Sequence, residues 1–467
     1  MAELMHIQLQ SPPSSRPATC AKALLLISLL SVSAYPADKL TAPQLIGMAK
    51  SADPNLATAI SATLPAEALK KGTAWIGHGP DLFFAIEAKA TPEIVIDEAA
   101  GPAMQRAGAS DLWYAVAAIQ PTGASHSFHY RIDGTNFGGS PDVPVFGPLS
   151  YHQPGVPEGT LVGPVQHNSK IYDGMKSNYW IYVPAQYSPS TPAALMVFQD
   201  GKGYLDREGG NPALNVIDNL IAQKQMPVAI CVFIMPGDIS GAPGTPTYNS
   251  VKAYADKWGR GLGDSMRSTL YDTVSERYVR FLRDEVLAEV QAKYNIRKDA
   301  YSRAILGASS GGICSFNAAW QMPGEFSRVI SWIGSFVSIQ WKEDPAVADG
   351  GQDYPEKVLR EPKRNIRVWL QDGNQDMELN WFERHYGSWP LANVGMANAL
   401  KLAGYDFHFS FGKGMHSGAQ GAAEFPAELI WLWRDYDPAK TEQVYEMEAS
   451  EKAKPVFRIA IINRDAK

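Results

Sequence analysis

The stretch Leu306-Gly307-Ala308-Ser309-Ser310-Gly311-Gly312 sets a serine between glycines two positions to either side. It follows a run with strand character, Ala304–Leu306, and opens one with helical character, Ile313–Trp320. In that setting G-x-S-x-G makes a turn so tight that the flanking positions must lack bulk. The turn lifts the serine hydroxyl clear of a sheet and beside a helix N-terminus, where developing negative charge is stabilised. Ser309 is the centre of the frame and Ser310 its competitor; as a bare pattern the same glycines could serve a structural turn. A serine hydroxyl is a weak nucleophile until a histidine takes its proton, and that histidine needs a carboxylate to hold its tautomer. The chemistry to look for is acyl transfer, with the partners in the chain order serine, acid, histidine.

Three of the nine histidines follow Ser309. His385 lies in a polar loop and His408 inside the strand-like run Phe407–Phe411. His416 lies in the glycine loop Gly412–Gly418 just beyond that run, and strand ends are where such sites are assembled, so His416 is the expected base. For the acid, the strand-like run Ile366–Leu370 leads into Gln371-Asp372-Gly373-Asn374-Gln375-Asp376. Asp376 has the reach and is favoured; Asp372 could instead fix the turn, and Glu378 and Glu383 follow as weaker choices. An oxyanion needs two backbone N–H donors. One is expected from Ser310, the other from the loop after an early strand, Val197–Gly203, where Gly201 permits close approach and Lys202 is the expected donor.

The elements that must position these residues are legible as two patterns. Residues 40–70 read as two short helices broken at Pro54 and Pro65. Short β-rich runs then follow at Ala74–Ile76, Leu82–Ile86, Glu93–Ile96, Leu112–Val116 and Phe128–Ile132, with no helix signal between them, which predicts a small β-sandwich. Pro- and Gly-rich sequence from Gly139 to Gly163 reads as a linker. Beyond it, apolar strands (Tyr179–Val183, Ala194–Phe198, Pro227–Ile234, Ala304–Leu306, Val329–Ile330, Ile366–Leu370, Phe407–Phe411) alternate with helices (Asn215–Lys224, Ser275–Tyr294, Leu391–Leu402, Pro426–Trp433). That alternation predicts a mostly parallel sheet covered on both faces. The organisation expected is a leader over residues 1–34, a helical lead-in over 35–72, a β-sandwich over 73–150, an α/β catalytic domain over 151–440 and a tail over 441–467, in which Val456–Ile462 could add an edge strand.

The quoted stretches, with Tyr182–Tyr187, Val197–Gly201, Trp389–Asn393 and Gly414–Ser417, are similar to the esterase family that includes enterochelin esterase, feruloyl and acetylxylan esterases, S-formylglutathione hydrolase and the mycolyltransferases. The nearest resemblance is to the enterochelin-esterase-like branch, which carries an N-terminal β-sandwich before its hydrolase domain. The resemblance covers roughly residues 70–436. It implies an α/β-hydrolase fold, a triad on Ser309, Asp376 and His416, and oxyanion donors on Lys202 and Ser310. Within Arg267–Asp272 the branch often has an acid before the tyrosine; Leu270 stands there instead, which puts a substrate role for that acid in doubt.

Composition bounds the partners. Of 467 residues 45% are hydrophobic, the net charge is −6 and only three are cysteines, so neither a disordered scaffold, a general nucleic-acid binder nor a disulfide framework is implied. Ala23–Val32 is an apolar run preceded by Arg16 and Lys22 and followed by Ser33-Ala34, the pattern of a cleaved secretory signal and too short for a membrane span. Cys20 precedes that run, and Cys231 and Cys314 sit in apolar stretches as core filler. His126 and His129 lack clustered ligand partners, so no metal or other cofactor is expected. Trp341, Trp381 and Trp389 read as packing residues, with an aromatic cleft for a sugar or phenolic ring as the sharper alternative. The sandwich reads as docking against the hydrolase domain rather than binding glycans. The function expected is an exported serine carboxylic-ester hydrolase with an acyl-enzyme, acting on a siderophore, feruloyl or acetylated-carbohydrate ester. Acyl transfer by the same triad and a catalytically inactive carbohydrate-binding protein are the alternatives; the oligomeric state stays open.

Overall fold

The computed structural model describes residues 39–237, 266–339, 350–378 and 387–458. The leader run with Cys20, the loop residues Trp341, Trp381, Glu383 and His385, and the end of the Val456–Ile462 run lie outside them.

Three helices rather than two precede the sandwich: Ala42–Lys50, Leu56–Thr63 and Ala66–Lys71. Pro65 caps the start of the third helix, so what reads as a break is also a start. Two four-stranded sheets follow. One has the order β1-β2-β6-β5, with β1 Ala74–His78, β2 Asp81–Glu87, β5 Gln105–Arg106 and β6 Leu112–Ala118. The other has the order β4-β3-β7-β8, with β3 Glu93–Ile96, β4 Ala99–Ala100, β7 Ala124–Ile132 and β8 Thr135–Val145. In β2, Leu82, Phe84 and Ile86 face the second sheet, packing with Ile94, Phe128, Tyr130 and Val143. Phe83 and Ala85 face the other way, against Leu45, Ile60 and Leu69 of the lead-in helices. A strand buried on both faces explains the unbroken apolar run Leu82–Ile86. The expected linker from Gly139 is in fact partly strand: β8 runs to Val145, and β9, Thr160–Asn168, begins inside it. Gly139 and the prolines Pro141 and Pro144 hide the strand character of β8.

The remaining strands are β10 Lys176–Val183, β11 Ala194–Gln199, β12 Ala229–Ile234, β13 Arg303–Ala308, β14 Arg328–Trp332, β15 Arg367–Gln375 and β16 Asp406–Met415. With β9 they form one eight-stranded sheet of order β16-β15-β14-β13-β11-β12-β10-β9. β9 and β10 pair antiparallel; from β12 to β16 all neighbours are parallel. Counted from β9 the spatial order is 1-2-4-3-5-6-7-8, an α/β-hydrolase sheet. Alternation along β11 covers both faces: Leu195 and Val197 pack with Val279, Phe281 and Phe316, while Met196 and Phe198 pack with Val216, Leu220, Phe425 and Leu429. Cys231 and Cys314 are free thiols buried in these two layers. The chain leaves β11 toward β12 on one side and returns through β13 on the other. The C-terminal ends of β11 and β13 therefore border a switch point, where α/β sheets open a crevice.

The helix Ala419–Trp433 starts seven residues before the expected Pro426, which lies inside it. β7 and β8 of the sandwich pack against β16 and this helix. Beyond it, Tyr445 and Met447 are buried, Tyr445 under the guanidinium groups of Arg328 and Arg367, so this part of the expected tail belongs to the core.

Candidate active site

β13 ends at Ala308 and the helix Ser310–Gln321 starts two residues on, leaving Ser309 as the hinge with φ 59° and ψ −122°. A non-glycine residue holds such a conformation only where its surroundings dictate it. Here the Ser309 amide donates to the Trp332 carbonyl (2.9 Å), and the Ser309 carbonyl accepts from the amides of Gly312 (2.9 Å) and Ser335 (3.1 Å). Gly307 is required by close approach, since a Cβ there would stand 2.2 Å from the Gly311 carbonyl oxygen. The turn after β14 that supplies Ser335 is itself strained, with the buried, β-branched Ile333 at φ 43°.

The structure brings the expected trio together. Ser309 Oγ lies 2.8 Å from His416 Nε2, and His416 Nδ1 lies 2.5 Å from Asp376 Oδ1. A carboxylate against Nδ1 fixes the proton on that nitrogen and leaves Nε2 free to accept from the serine. His416 follows the last residue of β16, and Asp376 follows the last residue of β15. Asp376 is buried and also accepts from the Met377 amide. The alternative acid, Asp372, sits fully buried behind it. Burial first, and then the charge and hydrogen bond of Asp376, push the Asp372 carboxyl well above the usual carboxylate range. The neutral form of Asp372 is thereby favoured beside Asp376. Glu378 is exposed, and His408 lies within β16, stacked on Trp369 at 4.0 Å.

The two expected oxyanion donors lie on the loops that border the switch point. Ser310 is the first residue of its helix, so its amide has no intrahelical acceptor. Lys202 lies in the short turn Gly201–Tyr204 after β11; its amide donates to the Met235 thioether at 3.4 Å, a weak acceptor that an anionic oxygen would readily outcompete. Gly201 abuts β12, where a Cβ would stand 2.3 Å from the Phe233 carbonyl carbon.

Sequence patterns assigned no role at the site to several residues found here. Arg267 grips the Asp200 carboxylate through Nε and Nη2 (2.7–3.0 Å) and donates to the Ala308 carbonyl (3.1 Å), so one guanidinium ties the Lys202 turn to the serine turn. Asp200 itself holds a left-handed φ of 54°. Trp389, read as packing, is buried and stands edge-on to the His416 ring at 5.5 Å, with its indole N–H donating to Ser335 Oγ. Leu270 is buried in the core, whereas the buried Asp272 accepts the Ser268 hydroxyl (2.8 Å); burial pushes its carboxyl up to about 6. The Arg-x-x-x-x-Asp spacing gave no signal on its own. His126 is bonded to Asp97 and the Pro121 carbonyl, and His129 lies on the same sandwich strand; among the described residues no cluster of histidine, cysteine and carboxylate side chains could hold a metal.

Sheet order, nucleophile turn and histidine loop together define an α/β-hydrolase fold in which Ser309, His416 and Asp376 meet. The family described as "Putative esterase" matches residues 173–432, more than half of the sequence. The chain belongs to that family. Among curated proteins it is similar to "Uncharacterized protein YbbA" of Bacillus subtilis (strain 168), 22% identical over 169 residues, 36% of this chain. The matched part spans 59% of that relative's length. Among solved structures it is similar to the enterobactin esterase FES from Shigella flexneri, at 16% identity and a TM-score of 0.48 over 78% of this chain and 97% of that one. It is also similar to the CE1 ferulic acid esterase AmCE1/Fae1A from Anaeromyces mucronatus, at 13% identity and a TM-score of 0.42 over 61% of this chain and 93% of that one.

Proposed function

We propose that this protein is a serine carboxylic-ester hydrolase that works through an acyl-enzyme. The observation that carries the reading is His416, bonded on one side to Ser309 Oγ and on the other to a buried Asp376. Ser309 Oγ attacks the ester carbonyl while His416 Nε2 takes its proton; Asp376 stabilises the imidazolium that forms. The Ser310 and Lys202 amides hold the oxyanion. His416 then protonates the leaving alcohol, and water, deprotonated by the same nitrogen, releases the acid. The Ser309 conformation and the dedicated Asp376 contact also speak against a catalytically inactive relic, since neither serves packing.

The substrate class follows from the sequence stretches shared with the enterochelin-esterase-like branch: an ester of siderophore, feruloyl or acetylated-carbohydrate type. The apolar run Ala23–Val32 supports export of the mature chain. Among the described residues no helix is long and apolar enough to cross a membrane. Hydrolysis of p-nitrophenyl acetate is the first test, with Ser309→Ala and His416→Ala each expected to lower kcat by at least about 10³-fold. A fluorophosphonate probe should label the unmodified chain and not Ser309→Ala. Undiminished turnover in both variants would end the proposal. A screen of catecholate-siderophore, feruloyl and acetyl-xylan esters then selects among substrates.

A further inference from the structure

His416 is held from the hydrolase side by Asp376, but the backbone on either side of it is held from elsewhere. Ser417 turns back to donate its amide to the Met415 carbonyl (2.7 Å), which makes His416 the apex of a three-residue turn. The two residues flanking that apex both donate to one oxygen of the β-sandwich. Asp142 Oδ2 accepts the Met415 amide (3.4 Å) and the Ser417 hydroxyl. Its other oxygen, Oδ1, accepts the hydroxyl of Ser125 on the neighbouring sandwich strand β7 (2.5 Å). Asp142 is 9% exposed and lies in β8, one of the two sandwich strands that pack on β16. Ser417 Oγ passes the connection on by accepting the Ala419 amide at the start of the helix Ala419–Trp433 (3.2 Å).

We infer that Asp142 is a positioning residue for the histidine: the β-sandwich completes the site by clamping the turn that carries His416. This rests on the reading of His416 as the general base. The physical case is one of orientation. β16 is the edge strand of its sheet, so beyond Met415 the turn has no neighbouring strand on its outer side. Asp376 fixes one nitrogen of the ring, but Nε2 meets Ser309 Oγ only if the Cα of residue 416 is also fixed. A carboxylate that bonds the residues before and after it, and is itself fixed by Ser125, supplies that second point. Displacements of about 1 Å at a reacting group cost about 10²-fold in rate.

The test compares Asp142→Ala, Asp142→Asn and Ser417→Ala in the full chain, with p-nitrophenyl acetate turnover, circular dichroism and hydrogen–deuterium exchange of the 412–418 peptide. Asp142→Ala should lower kcat by about 30- to 100-fold with KM within about twofold, because the clamp orients a catalytic group and binds no substrate. Asp142→Asn keeps an oxygen for Ser417 and Met415 and an N–H for Ser125 Oγ, so it should restore most of kcat. Ser417→Ala, which removes one donor only, should fall between them. Exchange in 412–418 should quicken in the same rank order. A folded Asp142→Ala with unchanged kcat and unchanged exchange overturns the inference. So does an Asp142→Asn that loses as much kcat as Asp142→Ala. If Asp142→Ala does not fold, an unaltered Ser417→Ala in both readouts overturns it as well. Should the unmodified chain hydrolyse no ester, or His416→Ala retain activity, the functional reading fails, while the exchange data still decide whether Asp142 restrains the turn.

Discussion

Asp372 lies within β15 and Asp376 just past its end, and replacing each with asparagine separates a triad acid from its neighbour. In Asp376→Asn, His416 Nδ1–H loses a charged acceptor at 2.5 Å. A charge-assisted hydrogen bond of this kind contributes about 1.5–3 kcal/mol. The amide can also donate to Nδ1, which moves the ring proton to Nε2 and leaves nothing to accept from Ser309 Oγ (2.8 Å). Together the two effects should raise the barrier by about 4–5 kcal/mol, a fall in kcat of about 10³–10⁴. Asp372 is different because its neutral form is favoured: burial and the adjacent Asp376 hold its carboxyl well above the carboxylate range. Asp372→Asn keeps a neutral donor toward Asp376, so kcat should stay within about tenfold. The assay is kcat and kcat/KM for p-nitrophenyl acetate at pH 8, with circular dichroism to establish folding. Equal losses in the two variants, or a larger loss in Asp372→Asn, would refute the assignment of the acid and the neutral state of its neighbour.

Asp272 should make the fold weaken with rising pH. Its folded-state pKa of about 6 lies above the reference 3.8, so its stability contribution is full below pH 4 and lost by about pH 6. The loss is on the order of 3 kcal/mol, and urea unfolding at pH 4 and pH 7 should show that difference shrinking in Asp272→Asn; an unchanged difference would refute the buried neutral carboxyl. Gly307→Ala places a methyl 2.2 Å from the Gly311 carbonyl oxygen and should destabilise the fold by at least about 2 kcal/mol while abolishing probe labelling of Ser309. A thermal melt matching the unmodified chain would show that the turn can open at no cost.

The chemistry was legible in sequence wherever covalent geometry restricts residue type. Gly307 must be glycine because Gly311 is already there, so the serine turn announces itself. His416 was readable because it closes the last strand. The acid was legible only as a preference for Asp376 over Asp372, because the two stand four residues apart at the end of one strand. Which one reaches the histidine depends on whether β15 ends at Gln375 or sooner, and sequence patterns place strand ends to within a few residues only. Secondary structure failed where a strand is built from residues that usually break one, as in β8 with Gly138, Gly139, Pro141 and Pro144, or where a helix tolerates a proline, as at Pro426. Least readable were contacts between distant segments. Nothing local marks Asp142 as a partner of Ser417, 275 residues later, or Arg267 as a partner of Asp200. Pairings of that kind exist only once the sheet order is known.

The placement of His416 on the final strand of the sheet also has a consequence in time. The residues of the sandwich, the Lys202 turn and the serine turn all precede residue 416 in the sequence, so a chain emerging from the ribosome exposes them first. A nascent chain that extends past Ser335 but not yet to residue 416 would carry a nucleophile with no base to activate it. Because the strand that delivers the histidine is also the sheet's edge, it is added without dismantling pairs already made. Hydrolytic competence would then arrive as a late, single event that coincides with closure of the whole fold.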